Sequence, residues 1–80
     1  DPVEMLHCVS AHENQKQADY KSRAVKILHC SKGTAQNLLD KCEEEGWLRS
    51  TLRGNSKHYS LTPVGRNWFS KRPSAYRWND

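Results

Sequence analysis

The sequence predicts a single small α+β domain in which three helices are followed by a β-hairpin and a fourth helix. Three observations predict it. Apolar residues recur at helical spacing in three segments up to Gly46. After Gly46 the period falls from 3.6 to 2 across two short runs that flank a Gly-Asn turn. A Thr-Pro helix start then follows the second run. The 80 residues allow one domain, spanning 1–80, and a chain of this size buries only about 60% of its unfolded surface. Hydrophobic residues make up 35% of the chain, so Trp47, Trp68, Trp78, Tyr20, Tyr59, Tyr76 and Phe69 must supply much of the buried area.

Asp1-Pro2 opens the first helix, because Asp accepts from free N–H groups and Pro suits the first helical position. Met5, Leu6 and Val9 share its apolar face, and the polar run Glu13–Gln17 ends it, giving a helix over 2–13. A short second helix is capped by Asp19 or Ser22. Ala24, Val25 and Leu28 form its face, with Ile27 at the edge. It ends near His29, with Cys30 turned into the core.

Ser31 caps the third helix, which runs to Glu45 and stops at Gly46, the residue type that suits a left-handed C′ position. Ala35, Leu38, Leu39 and Cys42 fall in one stripe, with Gly33, Gln36, Asn37 and Asp40 opposite. Trp47–Leu52 and Lys57–Leu61 then read as strands joined by Arg53-Gly54-Asn55-Ser56. Thr62 caps the last helix, whose apolar face is Val64, Trp68 and Phe69. Residues 70–80 form a basic, aromatic tail without period.

The formal charge of +4 is unevenly spread. Residues 46–80 carry seven Lys/Arg against one Asp, whereas residues 1–45 carry six against eight Asp/Glu. A one-sided basic surface favours a polyanion, because neutralised phosphates release counterions. Cys8, Cys30 and Cys42 include no C-x-x-C pair, so neither a zinc knuckle nor a redox motif is expected, and reduced thiols fit a cytosolic compartment. Cys8 and His12 share a helix face, but nothing fixes further ligands, so no metal or cofactor is expected. No apolar run is long enough for a membrane span, and no signal peptide is visible. The chain begins with Asp, as an excised segment of a longer protein would. No His-carboxylate-nucleophile set and no phosphate loop appears, so no enzyme is expected.

Two stretches carry a family resemblance. Leu38-Leu39-Asp40-Lys41-Cys42-Glu43-Glu44-Glu45-Gly46-Trp47-Leu48 resembles the end of the recognition helix and the strand after it in the winged helix-turn-helix superfamily of bacterial, archaeal, phage and plasmid regulators. Tyr59-Ser60-Leu61-Thr62-Pro63-Val64-Gly65 resembles the second wing strand and helix start of multiple-antibiotic-resistance-repressor-like proteins. Together the likeness covers Ser22 to Phe69. Cys42 stands where the family usually has Leu, and no long dimerising helices flank the domain. Lys41 replaces the aromatic that Z-form nucleic-acid binders carry, so Z-form recognition is not expected.

The resemblance implies a three-helix core with a two-stranded wing and a C-terminal helix. It also implies sequence-specific binding of double-stranded DNA by a transcriptional regulator, or by a replication or partition factor of a mobile element. Helix 3 would enter the major groove. Its site residues would be Ser31, Lys32, Gly33, Thr34, Gln36, Asn37 and Lys41, with Arg53, Asn55 and Lys57 reaching phosphates or the minor groove from the wing. Ser31 and the helix N-terminus would hold a phosphate, and Gly33 would let the backbone approach. Glu43, Glu44 and Glu45 would face away from the duplex, into solvent or a partner. Localisation would be cytoplasmic and nucleoid-associated, or nuclear. A homodimer or protein partner would use the N-terminal helix or the Tyr76/Trp78 tail. The alternatives are a protein-interaction domain of the same fold without nucleic-acid binding and, more remotely, an RNA binder.

Overall fold

The computed structural model describes residues 1–78. Four helices and one two-stranded antiparallel sheet follow in the order α1 (Pro2–Ala11), α2 (Gln17–Leu28), α3 (Lys32–Glu44), β1 (Leu48–Arg53), β2 (Ser56–Leu61) and α4 (Pro63–Phe69). The predicted α+β class holds, and the arrangement is compatible with a winged-helix-like one. No helix among the described residues is long and apolar enough to cross a membrane.

The local signals act at the helix ends as the residue types require. Asp1 accepts from the Val3 N–H, Ser31 from Thr34 and Thr62 from Gly65. Gly46 takes φ +79° after α3. In the hairpin Arg53 pairs with Ser56, which leaves Gly54-Asn55 as a two-residue turn. Positive φ at Gly54 and not at Asn55 is the II′ pattern, whose twist matches the strands.

Several expectations need correction. α1 stops at Ala11 rather than Glu13, because the His12 N–H closes onto Cys8 and Val9. α2 starts at Gln17, ahead of Asp19 and Ser22, and has no side-chain cap. The segment before it is tied to the sheet instead: Asn14 donates to the Tyr59 carbonyl, Tyr59 donates to Gln15, and Lys16 forms a β-bridge with His58. Val64 lies 61% exposed, since α4 packs through Gly65, Trp68 and Phe69. A Cβ on Gly65 would stand 2.1 Å from the Trp47 carbonyl oxygen, so only glycine permits this approach.

The core combines Met5, Leu6, Cys8 and Val9 of α1, Tyr20 and Ala24 of α2, and Ala35, Leu39 and Cys42 of α3 with Leu48, Tyr59 and Leu61. Leu38 and Cys30 are only half-buried at its edge, and Val25 is not part of it. Trp47 and Trp68 stack at 4.0 Å with 13° between planes, and the Arg72 guanidinium lies 4.3 Å from the Trp68 ring centroid. Of the tail aromatics, Trp78 is buried against α1 while Tyr76 remains exposed. The anchor is the buried Glu4, whose carboxylate accepts from Ser74 Oγ, the Ala75 N–H and Trp78 Nε1. Burial alone would raise its pKa. The hydrogen bonds from Ser74, Ala75 and Trp78, with His7 nearby, outweigh burial and hold it below the ordinary value.

Candidate nucleic-acid interface

The α3 residues opposite the core form an outward stripe. With Ala35, Leu39 and Cys42 buried, a 100° advance per residue places Gly33, Asn37 and Asp40 on the far side, and all three are exposed. Lys32, Thr34 and Lys41 are exposed on its flanks. A Cβ on Gly33 would meet nothing nearer than Ser31 Oγ at 3.8 Å, so this position faces open space, while Ala35 in the same turn packs into the core. Among the described residues the Lys32 and Asn37 side chains have no hydrogen-bond partner, which leaves their donors and acceptors available.

Other expected contact residues are already engaged. Ser31 Oγ accepts the Thr34 N–H and donates to Thr34 Oγ1, so both side chains serve the cap. Gln36 is half-buried, and both ends of its amide are used. Its Oε1 accepts from Lys21 Nζ at 3.2 Å, and its Nε2 donates to Asp40 Oδ1 at 2.9 Å. Lys41 pairs with Glu45 at 3.0 Å on the surface. Lys57 pairs with Glu43 at 3.5 Å, and Glu43 also accepts from Ser50 Oγ at 2.5 Å.

The acidic triplet therefore divides. Glu44 is exposed and Glu45 pairs with Lys41, whereas Glu43 is half-buried between α3 and the hairpin. Its unfavourable position near the C-terminal end of the helix dipole is offset by the two donors it receives. The expectation that all three face solvent fails at Glu43.

The hairpin has two unlike faces. Leu48, Ser50 and Leu52 on β1 lie opposite Leu61, Tyr59 and Lys57 on β2, and this face turns toward α3. Arg49, Thr51 and Arg53, opposite Ser60, His58 and Ser56, form the other face. Arg53 is thus exposed at the tip but on the face away from Glu43. Asn55, at the turn, is exposed.

α2 links the hairpin to α3. Its Gln17 Nε2 donates to Tyr59 Oη at 2.8 Å, and one turn later Lys21 reaches Gln36. Lys16, Gln17, Ala18, Asn55, Ser56 and Lys57 line a concavity of about 220 Å³ beside the hairpin turn. Lys16, Gln17 and Lys21 were not expected at this surface. The only signal pointing to them in the sequence is their charge or polarity near a helix start, since their partners lie at least 15 residues away.

Away from this surface, Cys8, Cys42, His7 and His12 have structural roles. Burial pushes the Cys8 and Cys42 thiols up to about 12, which makes them poor nucleophiles and metal ligands. His7 Nε2 lies 2.6 Å from the Arg72 carbonyl and His12 Nε2 2.5 Å from that of Trp78, so both tie α1 to the tail. No group of three His, Cys, Asp or Glu among the described residues converges on a point where a metal could sit. No protein family, curated protein or solved structure matches this chain.

Proposed function

We propose that this domain is a winged helix-turn-helix unit that binds double-stranded DNA in a sequence-specific way. In this reading α3 enters the major groove and the hairpin is the wing. One observation carries the reading: Lys32, Gly33 and Asn37 stand exposed in the first half of α3, clear of tertiary packing, with unengaged polar atoms. A helix fits the major groove, and its first turns meet the base edges. Asn37 is the base reader, since an amide pairs bidentately with adenine. Lys32 reaches guanine or phosphate. Arg53, Asn55 and the Lys16–Lys57 concavity contact the backbone, and Lys57 shares its charge with Glu43. Transcriptional regulation is the process this chemistry serves best, with replication or partition of a mobile element next.

Fluorescence anisotropy with a labelled random duplex, run at rising salt, tests this reading. Binding should weaken linearly on logarithmic axes. Lys32→Ala and Arg53→Ala should each flatten the slope by about one, while Asn37→Ala should relax sequence preference. Absence of binding at low salt would overturn the reading.

A second reading rests on a different observation. Leu52, 69% exposed, and Val64, 61% exposed, give the surface apolar points, and Glu43 and Glu45 hold Lys57 and Lys41 in ion pairs. A domain of this shape with those features suits a protein partner, and failure of duplex binding would favour that reading.

A further inference from the structure

We propose that Asp40 is a specificity-determining residue that selects cytosine beside the base pair read by Asn37, and that Gln36 positions Asp40 rather than reading a base itself. This rests on the DNA-binding reading above. Gly33, Asn37 and Asp40 recur at i, i+4 and i+7 and so lie in one row on the outward side of α3. The absent side chain at Gly33 lets the backbone come close, which brings the next two residues of the row toward the base edges. Three residues of helix rise about 4.5 Å, nearer to one base-pair step of about 3.4 Å than to two, so Asn37 and Asp40 address neighbouring pairs.

The carboxylate decides what Asp40 tolerates. Ionised Asp has only acceptors. Facing the major groove it is repelled by guanine N7 and O6 and by thymine O4, and it is satisfied by the cytosine N4 amino group. Adenine offers its N6 amino group beside the N7 acceptor, which makes it the weaker partner. Phosphate repulsion acts on every sequence alike, so it lowers affinity without altering the choice of base.

Asp40 is also held in place. Oδ1 accepts from Gln36 Nε2, while Oδ2 has no hydrogen bond among the described residues and is left to accept from a base. Gln36 is fixed in turn because its Oε1 accepts from Lys21 on α2, which sets the direction of the amide. The Lys21–Gln36–Asp40 chain spends both amide ends of Gln36 on protein partners. That arrangement suits a side chain orienting its neighbour, not one reading adenine.

Selection of bound sequences from a random duplex pool, followed by affinity measurements on the selected site, tests the proposal. The wild-type chain should enrich cytosine at one position next to the Asn37-dependent position, with roughly tenfold discrimination against thymine there. Asp40→Asn and Asp40→Ala should reduce that discrimination to about twofold or less, and should bind random duplex more tightly because a negative charge is gone. Gln36→Leu should narrow the cytosine discrimination while the Asn37-dependent preference at the neighbouring position is kept. Gln36→Glu, which places a carboxylate beside Asp40, should not rescue it. Circular dichroism should show all four variants folded, since Asp40 is exposed and Gln36 lies at the surface edge. A wild-type motif that Asp40→Asn leaves intact overturns the role of Asp40 while the DNA-binding reading stands. A wild-type chain that enriches no motif and binds no duplex at low salt overturns both.

Discussion

Trp78 donates its indole N–H to the Glu4 carboxylate at 3.1 Å, so the last described residue is fastened to the first turn of α1. The same carboxylate receives Ser74 Oγ and the Ala75 N–H. One buried anion thus organises the return of the tail, and it does so with charge-assisted bonds, the strong class.

Replacing Glu4 with Gln tests that anchor. The neutral amide keeps the shape but weakens three hydrogen bonds and presents donors where acceptors are needed. Stability should fall by about 1–3 kcal/mol. In a domain of this size each kcal/mol lowers Tm by about 4–8 °C, so a thermal melt resolves the change.

Acid should release the tail by the same route. The folded pKa of Glu4 lies below its unfolded value, so its contribution is present above the unfolded value, near 4.5, and is lost as pH falls through the folded pKa. The Trp78 indole N–H resonance should hold its position at neutral pH and move toward the free indole position in that acid window. In Glu4→Gln it should show no such titration.

Two glycines should respond in opposite ways to alanine. At Gly65 the added Cβ meets the Trp47 carbonyl at 2.1 Å, and backbone must move, so Gly65→Ala should cost about 1–3 kcal/mol or more. At Gly33 the nearest atom is 3.8 Å away, so Gly33→Ala should leave the fold intact and stabilise it by roughly 0.5–1 kcal/mol. Under the proposed function the same Gly33→Ala change should weaken duplex binding. Stability and affinity measured on one preparation separate the two effects.

Glu43→Gln should free Lys57 for a phosphate. Affinity for random duplex should rise, and the salt slope should steepen by about one. The Ser50 hydroxyl keeps an acceptor in the glutamine carbonyl, so the hairpin should stay docked. Because the Lys57–Glu43 pair is partly exposed, the change in stability should be under about 1 kcal/mol, as a denaturant titration would report.

Legibility followed sequence separation. Ser31, Gly46 and Thr62-Pro63 act within one turn of chain, and each marks an element end where its residue type places it. The bridge at Lys16 was illegible, because its polar run has no period and the partner, His58, lies 42 residues away. α4 misled at one position for a related reason: its closest contact is made by Gly65, which contributes nothing to a hydrophobic pattern, so the pattern groups Val64 with Trp68 and Phe69 on the packing face. At the candidate site, the exposure of Gly33, Asn37 and Asp40 followed from the α3 stripe. The engagement of Gln36 and Lys57 did not, since Lys21 and Glu43 approach them through tertiary packing.

The near-parallel indoles of Trp47 and Trp68 have an optical consequence. At a centroid separation of 4.0 Å the transitions of the two rings couple, with a circular-dichroism contribution whose sign and size follow the in-plane angle between them, and that contribution should vanish when the rings part. The protein carries within itself a chiroptical gauge of whether its final helix is seated, one that needs no dye, label or ligand.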